Sequence, residues 1–259
     1  MTSDKTKILK FESPPIVEKL MGVQFAPLQA WSIPHFGLFW NEIRSNFPRF
    51  TVQPSLLRGE SEIAIEDSIR CWFFHESQSK LIQIQRDRFL YNWQKPTTYA
   101  EYPHYENIKP EFLEYWNIFC QFLAKNQIEQ PSIEQCEITY IDHFEKDKEW
   151  KSLSDLPSVI NCWSGLSGDI LHEEPDFINI KLAYSLPEIN GTLTISLQPA
   201  VRSEDSKEIF QLTIAVTGKP ASQSIDDLIS WFDSGRELAI RSFVDFTTEE
   251  MHDFWRKSK

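Results

Sequence analysis

Glycine is scarce in this chain, with 8 in 259 residues, and the few present do not cluster. A loop that cradles phosphate needs glycines at close, fixed spacing so that backbone N–H groups can approach the anion. Gly165-Leu166-Ser167-Gly168 has neither that spacing nor the accompanying lysine. The familiar nucleotide-binding loops are absent, and no cofactor is expected. Cysteine is equally sparse: Cys71, Cys120, Cys136 and Cys162 are far apart and sit beside apolar or aromatic residues, the habit of buried thiols in a reducing compartment. There is no C-x-x-C, H-E-x-x-H or H-x-H, and His172-Glu173-Glu174 stands alone, so no metal site is expected. Long hydrophobic runs are missing too. No stretch reaches the roughly 18 apolar residues of a membrane span, and MTSDKTKILKF has no apolar core or cleavage site of an export signal. A cytoplasmic protein with no membrane attachment is the expectation, and Asn190-Gly191-Thr192 is then only a turn.

Positive charge is in deficit. The chain holds 26 Lys+Arg against 38 Asp+Glu, a formal net charge of −12. Residues 1–132 carry 14 and 15 (14 − 15 = −1), and residues 133–259 carry 12 and 23 (12 − 23 = −11), so the second half holds the acidity. Such a surface repels nucleic-acid phosphates and anionic lipid, which makes nonspecific binding to either unfavourable. A protein partner with a basic surface is the better match, and a homo-oligomer is compatible with the sequence.

What the chain has in quantity is apolar and aromatic bulk, 41% hydrophobic and 14% aromatic, enough to build a core at this length and far from the composition of a disordered chain. Its nine tryptophans exceed the needs of one core. Trp31, Trp150, Trp163 and Trp255 are candidates for the surface, where tryptophan marks partner interfaces; the alternative is a core built of bulky residues.

Periodicity orders these residues into elements. A strand is predicted over Ile16 to Leu28. Phe36, Phe39, Trp40, Ile43 and Phe47 form one helical face closed by Pro48. Strands follow within Thr51 to Ile65, Ile69 to Glu76 and Lys80 to Trp93, and a helix runs from Pro110, placed in its first turn, to about Asn126. The second half repeats the order: strand Glu134 to Phe144, a short helix around Trp150 to Trp163, and strands near 176–186, 191–199 and 208–217. A long helix then starts at Ser224 and buries Ile225, Leu228, Ile229, Phe232, Ala239, Ile240 and Phe243, before a short one after Thr247-Thr248. The fold class is α+β: two β-α-β-β-β-α pseudo-repeats, residues 1–132 and 133–259, as two halves or one continuous domain. Mainly antiparallel sheet carries helices on one face, and the other face is polar.

The segment from Leu81 to Lys95 is the most distinctive. Read as one strand, it places Gln83, Gln85 and Asp87 beside Phe89, Tyr91 and Trp93, with Arg86 and Arg88 on the opposite side. Arg86 or Arg88 could hold a carboxylate or phosphate while Tyr91 and Trp93 stack a planar group. The alternative is that both arginines pair with Asp87, Glu106 or other acids to staple the two halves. Tyr99, Tyr102, Pro103, His104 and Tyr105 form an aromatic loop that could line the same pocket. His104 is a lone loop histidine with no acid or nucleophile of a catalytic motif, Asp142-His143 at a strand end with Glu145 two residues on is read the same way, and no catalytic residue is assigned. The candidate ligand set is therefore Arg86, Asp87, Arg88, Tyr91, Trp93, His104 and Tyr105.

Pro14-Pro15-Ile16-Val17-Glu18, the strand Gln83-Ile84-Gln85-Arg86-Asp87-Arg88-Phe89-Leu90-Tyr91-Asn92-Trp93, Tyr102-Pro103-His104-Tyr105 with Phe112 and Trp116, and Glu137-Ile138-Thr139-Tyr140-Ile141-Asp142 together resemble a sporadically distributed prokaryotic family of uncharacterised proteins of similar length. The resemblance spans most of the chain and brings no established activity or catalytic residue. What its patchy distribution implies is a partner-binding role in a phage-defence or toxin-antitoxin type of system. The expectation is a non-catalytic interaction subunit or regulator. A small-molecule-binding or enzymatic module at the Arg86–Trp93 strand is the first alternative, and nucleic-acid recognition by the polar sheet face is the second.

Overall fold

Strands rich in β-branched and aromatic side chains, interrupted by helices with apolar stripes, give a mixed α+β protein in which the described residues form a nine-stranded antiparallel sheet that carries the helices. The computed structural model describes residues 11–56, 69–96, 104–165, 169, 171 and 173–256. The strands are β1 (Ile16–Phe25), β2 (Arg49–Pro54), β3 (Ile69–Phe74), β4 (Lys80–Gln85), β5 (Arg88–Gln94), β6 (Ile133–Glu145), β7 (Ile180–Leu186), β8 (Gly191–Val201) and β9 (Glu208–Gly218). The helices are α1 (Ile33–Ile43), α2 (Tyr105–Lys125), α3 (Leu156–Val159), α4 (Ile225–Phe246) and α5 (Glu249–Arg256). Sheet order is β2-β3-β4-β5-β1-β6-β9-β8-β7. The chain gathers into two compact units of interleaved segments, one from Glu18–Glu137 and Gly218–Phe232, the other from Met1–Val17, Ile138–Thr217 and Asp233–Lys259.

In the first of these, α1 and α2 lie on one face of the sheet. Phe25 and Phe89 meet Trp116 and Phe119 of α2, Phe73 meets Phe39 of α1, and Phe39 packs edge-on against Phe119 and Phe122. Edge-to-face contact suits the ring quadrupoles, so this cluster gains directional as well as burial energy. Ser32 caps α1: its backbone N–H donates to His35 Nδ1 at 2.9 Å, and Pro34 in the first turn gives up no helical bond. In the second unit, alternation separates buried Leu193, Ile195 and Leu197 of β8 and Leu212, Ile214 and Val216 of β9 from more exposed Thr192, Thr194, Gln211 and Thr213. Ser224 caps α4 by accepting the Asp227 N–H at 3.2 Å, and Met251 and Trp255 bury the inner face of α5.

Several expectations are corrected. The segment Lys80 to Trp93 is a hairpin, not one strand: β4 and β5 pair antiparallel around Arg86-Asp87, with Gln85 opposite Arg88. Among the described residues the first half therefore has five strands where the sequence reading predicts four, while the second has four, so the element orders of the halves differ by one strand. Pro110 lies inside α2, which starts five residues earlier at Tyr105 and simply forgoes the bond from residue 110 to the Glu106 carbonyl. The helix between Trp150 and Trp163 shrinks to one 3₁₀ turn at Leu153–Asp155 and the four residues of α3. Ile225 is half exposed because it occupies the first turn of α4, and Cys162 is exposed, unlike buried Cys71 and Cys136. Trp31, Trp150 and Trp255 are all buried, so the core takes them rather than the surface. The predicted aromatic loop at Tyr99–Pro103 lies outside the described residues, as does the outer part of the strand predicted to reach Ile65.

Candidate functional site

The hairpin decides which side chains share a face. Ile82 and Ile84 of β4 stand opposite Tyr91 and Phe89 of β5, and all four point toward α1 and α2. Their sequence neighbours point the other way, onto what is here called the distal face. Following the register from β2 through β3, β4 and β5 to β1, the distal face carries three cross-strand rows. One is Gln53, Arg70, Gln85, Arg88 and Gln24; the next is Thr51, Trp72, Gln83, Leu90 and Gly22; the third is Arg49, Phe74, Leu81, Asn92 and Leu20.

The first row has five polar residues, two of them arginines, and no acid. Arg70 and Arg88 flank Gln85, so their Cα atoms lie two strand spacings, about 10 Å, apart and their longer side chains reach toward one another. Burial lowers the pKa of Arg70, and the positive charge of Arg88 lowers it further. Asp87 lies beside Arg88, but its Oδ1 stands 3.8 Å from Arg88 Nε, beyond hydrogen-bond reach, and accepts instead from Gln85 Nε2 at 2.7 Å. The Gln85 amide is fully engaged: it also donates to the Leu56 carbonyl at 3.0 Å and accepts the Leu56 N–H at 2.9 Å.

Along β3 the Arg70 guanidinium lies 5.3 Å from the centre of the Trp72 ring, Trp72 and Phe74 are 6.1 Å apart, and Arg49 lies 5.8 Å from the Phe74 ring. Two aromatic rings thus lie between two cations. Beside it, Gln83 Nε2 donates to Asn92 Oδ1 at 2.8 Å, and Asn92 Nδ2 donates to Glu18, which also accepts from Gln94 at 3.3 Å. Burial raises the pKa of Glu18 against these donors, so the carboxylate depends on them to stay ionised.

Four buried polar atoms in this patch have no hydrogen-bond partner: Arg70 Nε, Trp72 Nε1, Gln83 Oε1 and Arg88 Nε. Native proteins leave few such atoms, because each costs about 1–3 kcal/mol of unrecovered desolvation. Four on neighbouring positions of three adjacent strands form a concentrated deficit of acceptors facing the cations, with one donor and one acceptor alongside.

Of the residues singled out from sequence, only Arg88 belongs to this patch. Arg86 sits at the hairpin tip, where its Nε donates to the Leu28 carbonyl at 2.9 Å; Asp87 beside it accepts from Gln85, and its carbonyl receives the Phe25 N–H at 2.9 Å. Tyr91 and Trp93 lie on the opposite face. The Tyr91 hydroxyl donates to Glu111, itself bridged by Lys80 at 2.7 Å, and its pKa is driven up by burial and that carboxylate. Exposed His104 caps α2 and Tyr105 is the buried first residue of that helix. The predicted seven are thus divided among two faces, a hairpin tip and a helix start. Arg70, Trp72 and Gln83 are the residues that sequence reading missed. The alternation Arg70-Trp72-Phe74 carries their signal, but the Arg86-Asp87 turn has no glycine or asparagine to announce the hairpin that aligns them.

The acidic residues Glu145 and Glu149 sit in paired clusters away from this patch. Glu145 takes Arg202 at 2.9 Å and Lys207 at 3.0 Å, Arg202 also holds Asp205 at 2.6 Å, and buried Glu149 receives Lys148 at 2.8 Å and Trp255 Nε1 at 3.4 Å. Among the described residues no three His, Cys, Asp or Glu side chains could jointly hold a metal ion, and no helix is long and apolar enough to cross a membrane. No protein-family model matches the chain, and no curated protein matches it. The class defined by fold and face is an α+β sheet protein with an arginine-rich, partner-deficient patch on the distal side of its β2–β1 strands.

Proposed function

We propose that the protein is a ligand-binding module that takes a small anion on the distal face, with Arg70 and Arg88 as the anchoring pair. The observation that supports this is the row in which these two guanidiniums flank Gln85 with both Nε atoms unsatisfied. An anionic oxygen pair supplied by phosphate or carboxylate satisfies both and neutralises the repulsion between the two cations. Because the atoms are shielded from water, the pairing is made at low dielectric, where charge-assisted bonds are strongest.

The test is thermal melting of the full chain with inorganic phosphate and with citrate. A ligand that binds only the folded state raises the melting temperature with concentration. The wild type is expected to respond, whereas Arg70→Met and Arg88→Met, which keep the packing and remove the charge, lose the response while melting no lower without ligand. Equal responses of all three proteins would overturn the reading.

A second reading, a non-catalytic subunit that engages a protein partner, is supported by the edge strand β2, where Phe50 and Val52 are 49% and 59% exposed. An apolar edge strand is a template for a strand from a partner protein. Phe50→Lys and Val52→Lys would abolish such pairing without touching the distal face; a complex that survives both sinks this reading.

A further inference from the structure

We infer that the anion is the phosphate of a nucleoside phosphate, whose base is read by Trp72 and Gln83. This rests on the anion-binding reading of the distal face and names its ligand.

The inference comes from the second row. Trp72 and Gln83 are directly opposite one another on β3 and β4, and Trp72 Nε1, a donor, and Gln83 Oε1, an acceptor, are both buried and both unpartnered. They do not bond to each other. Gln83 is only 5% exposed, and its Nε2 is committed to Asn92 at 2.8 Å, which fixes the amide orientation and leaves Oε1 as the acceptor on offer. A ligand that satisfies both must present an acceptor beside a donor. A carboxylate has no donor to give at neutral pH, and the O–H of hydrogen phosphate lies within the small anion itself, too close to reach this row while Arg70 and Arg88 hold it. The Watson–Crick edges of all four bases carry such a pair, and so does a primary amide.

Spacing selects between these. The Arg70–Arg88 row is one side-chain repeat along the strands from the Trp72–Gln83 row, about 7 Å. The ligand must therefore bear its anionic group roughly one strand repeat from its donor–acceptor edge. A nucleotide, with a ribose between phosphate and base, spans such a gap; a short amide acid such as asparagine folds both groups within a few bonds. Phe74, next to Trp72 along β3, offers an aromatic surface beside that edge and favours a flat ring over an aliphatic amide.

The experiment is isothermal titration of the full-length protein with inorganic phosphate, adenosine, the four nucleoside 5′-monophosphates, N-acetylasparagine and a six-nucleotide single-stranded RNA. The expected result is that at least one of the four mononucleotides binds ten-fold or more tightly than phosphate, and that Trp72→Phe and Gln83→Leu reduce that advantage at least five-fold while phosphate binding stays unchanged. A mononucleotide matching or exceeding the hexamer identifies the free nucleotide as the source; a hexamer that binds more tightly identifies the nucleic-acid strand, and both support the base readout. Phosphate binding as tightly as every nucleotide overturns this inference and leaves the anion site standing, and so does N-acetylasparagine outbinding the nucleotides. Binding of none of these overturns both. Trp72→Phe retains the ring and the hydrophobic contacts, so its effect is read on a folded protein, checked by unchanged circular dichroism.

Discussion

At the level of single residues, Gly22 shows how closely the distal face is packed. A Cβ at this position would lie 2.5 Å from Leu90 Cδ2, directly opposite across the β1–β5 ladder, where Leu90 is 3% exposed and has little room to give. Gly22→Ala is expected to cost about 1–3 kcal/mol by overpacking. In the double variant with Leu90→Ala the losses should be less than additive, which denaturant titration of the four proteins measures. A purely additive cycle would show that the clash relaxes elsewhere. Glu145 illustrates the opposite situation, a group held in a charged setting. Burial acts to raise its pKa, but hydrogen bonds from Arg202 and Lys207 and the charges of Arg202 and Lys148 outweigh this and hold it at about 2. Its pKa in the unfolded chain is higher, about 4.3. The stabilisation it brings is therefore complete above the unfolded value and is lost as pH falls from there toward 2. Melting temperature followed over that acid range should fall less steeply in Glu145→Gln than in the wild type; parallel curves would count against the pairing.

At the level of elements, the β4–β5 hairpin turns on two residues that have little intrinsic turn preference. Neither Arg86 nor Asp87 adopts a positive φ, so the tight loop lacks the left-handed geometry that normally matches strand twist. Tertiary bonds hold it: Leu28 N–H to the Arg86 carbonyl at 3.1 Å, Arg86 Nε to the Leu28 carbonyl, and Phe25 N–H to the Asp87 carbonyl. Arg86→Ala should then cost about 1.5–3 kcal/mol, the range for a hydrogen bond that involves a charged group, with the proposed anion binding at Arg70 and Arg88 retained in the protein that folds. Loss of binding without loss of stability would instead move Arg86 into the site. In α2, Pro110 denies a bond to the Glu106 carbonyl within the helix. Pro110→Ala restores the N–H and removes the ring, and a rise in melting temperature is expected, corresponding to about 1 kcal/mol or more.

At the level of the whole molecule, a net charge of −12 coexists with a sheet face whose basic row contains no acid. The overall field opposes a long polyanion, whereas two local guanidiniums favour a compact one, since screening confines the field but not the contact. Raising salt should therefore weaken mononucleotide binding only modestly.

Much of this was legible from the chain. The burial of β8 and β9, the cap of α4 at Ser224 and the α+β class follow from alternation and helical spacing, because local periodicity reports which face of an element meets the core. The content of the distal face was not legible, since it depends on which residue stands opposite which. Gln53, Arg70, Gln85, Arg88 and Gln24 are scattered over 65 positions and become one row only through the register of five strands. One unannounced turn at Arg86-Asp87 takes Gln83 and Gln85 off the face of Tyr91 and Trp93 and puts them in rows with Arg88 and Arg70. The sequence determined composition, element type and the inward face of each element through local spacing; the tertiary structure alone decided which cations meet and which polar atoms are left without partners, because strand pairing and desolvation are properties of contacts distant in the chain.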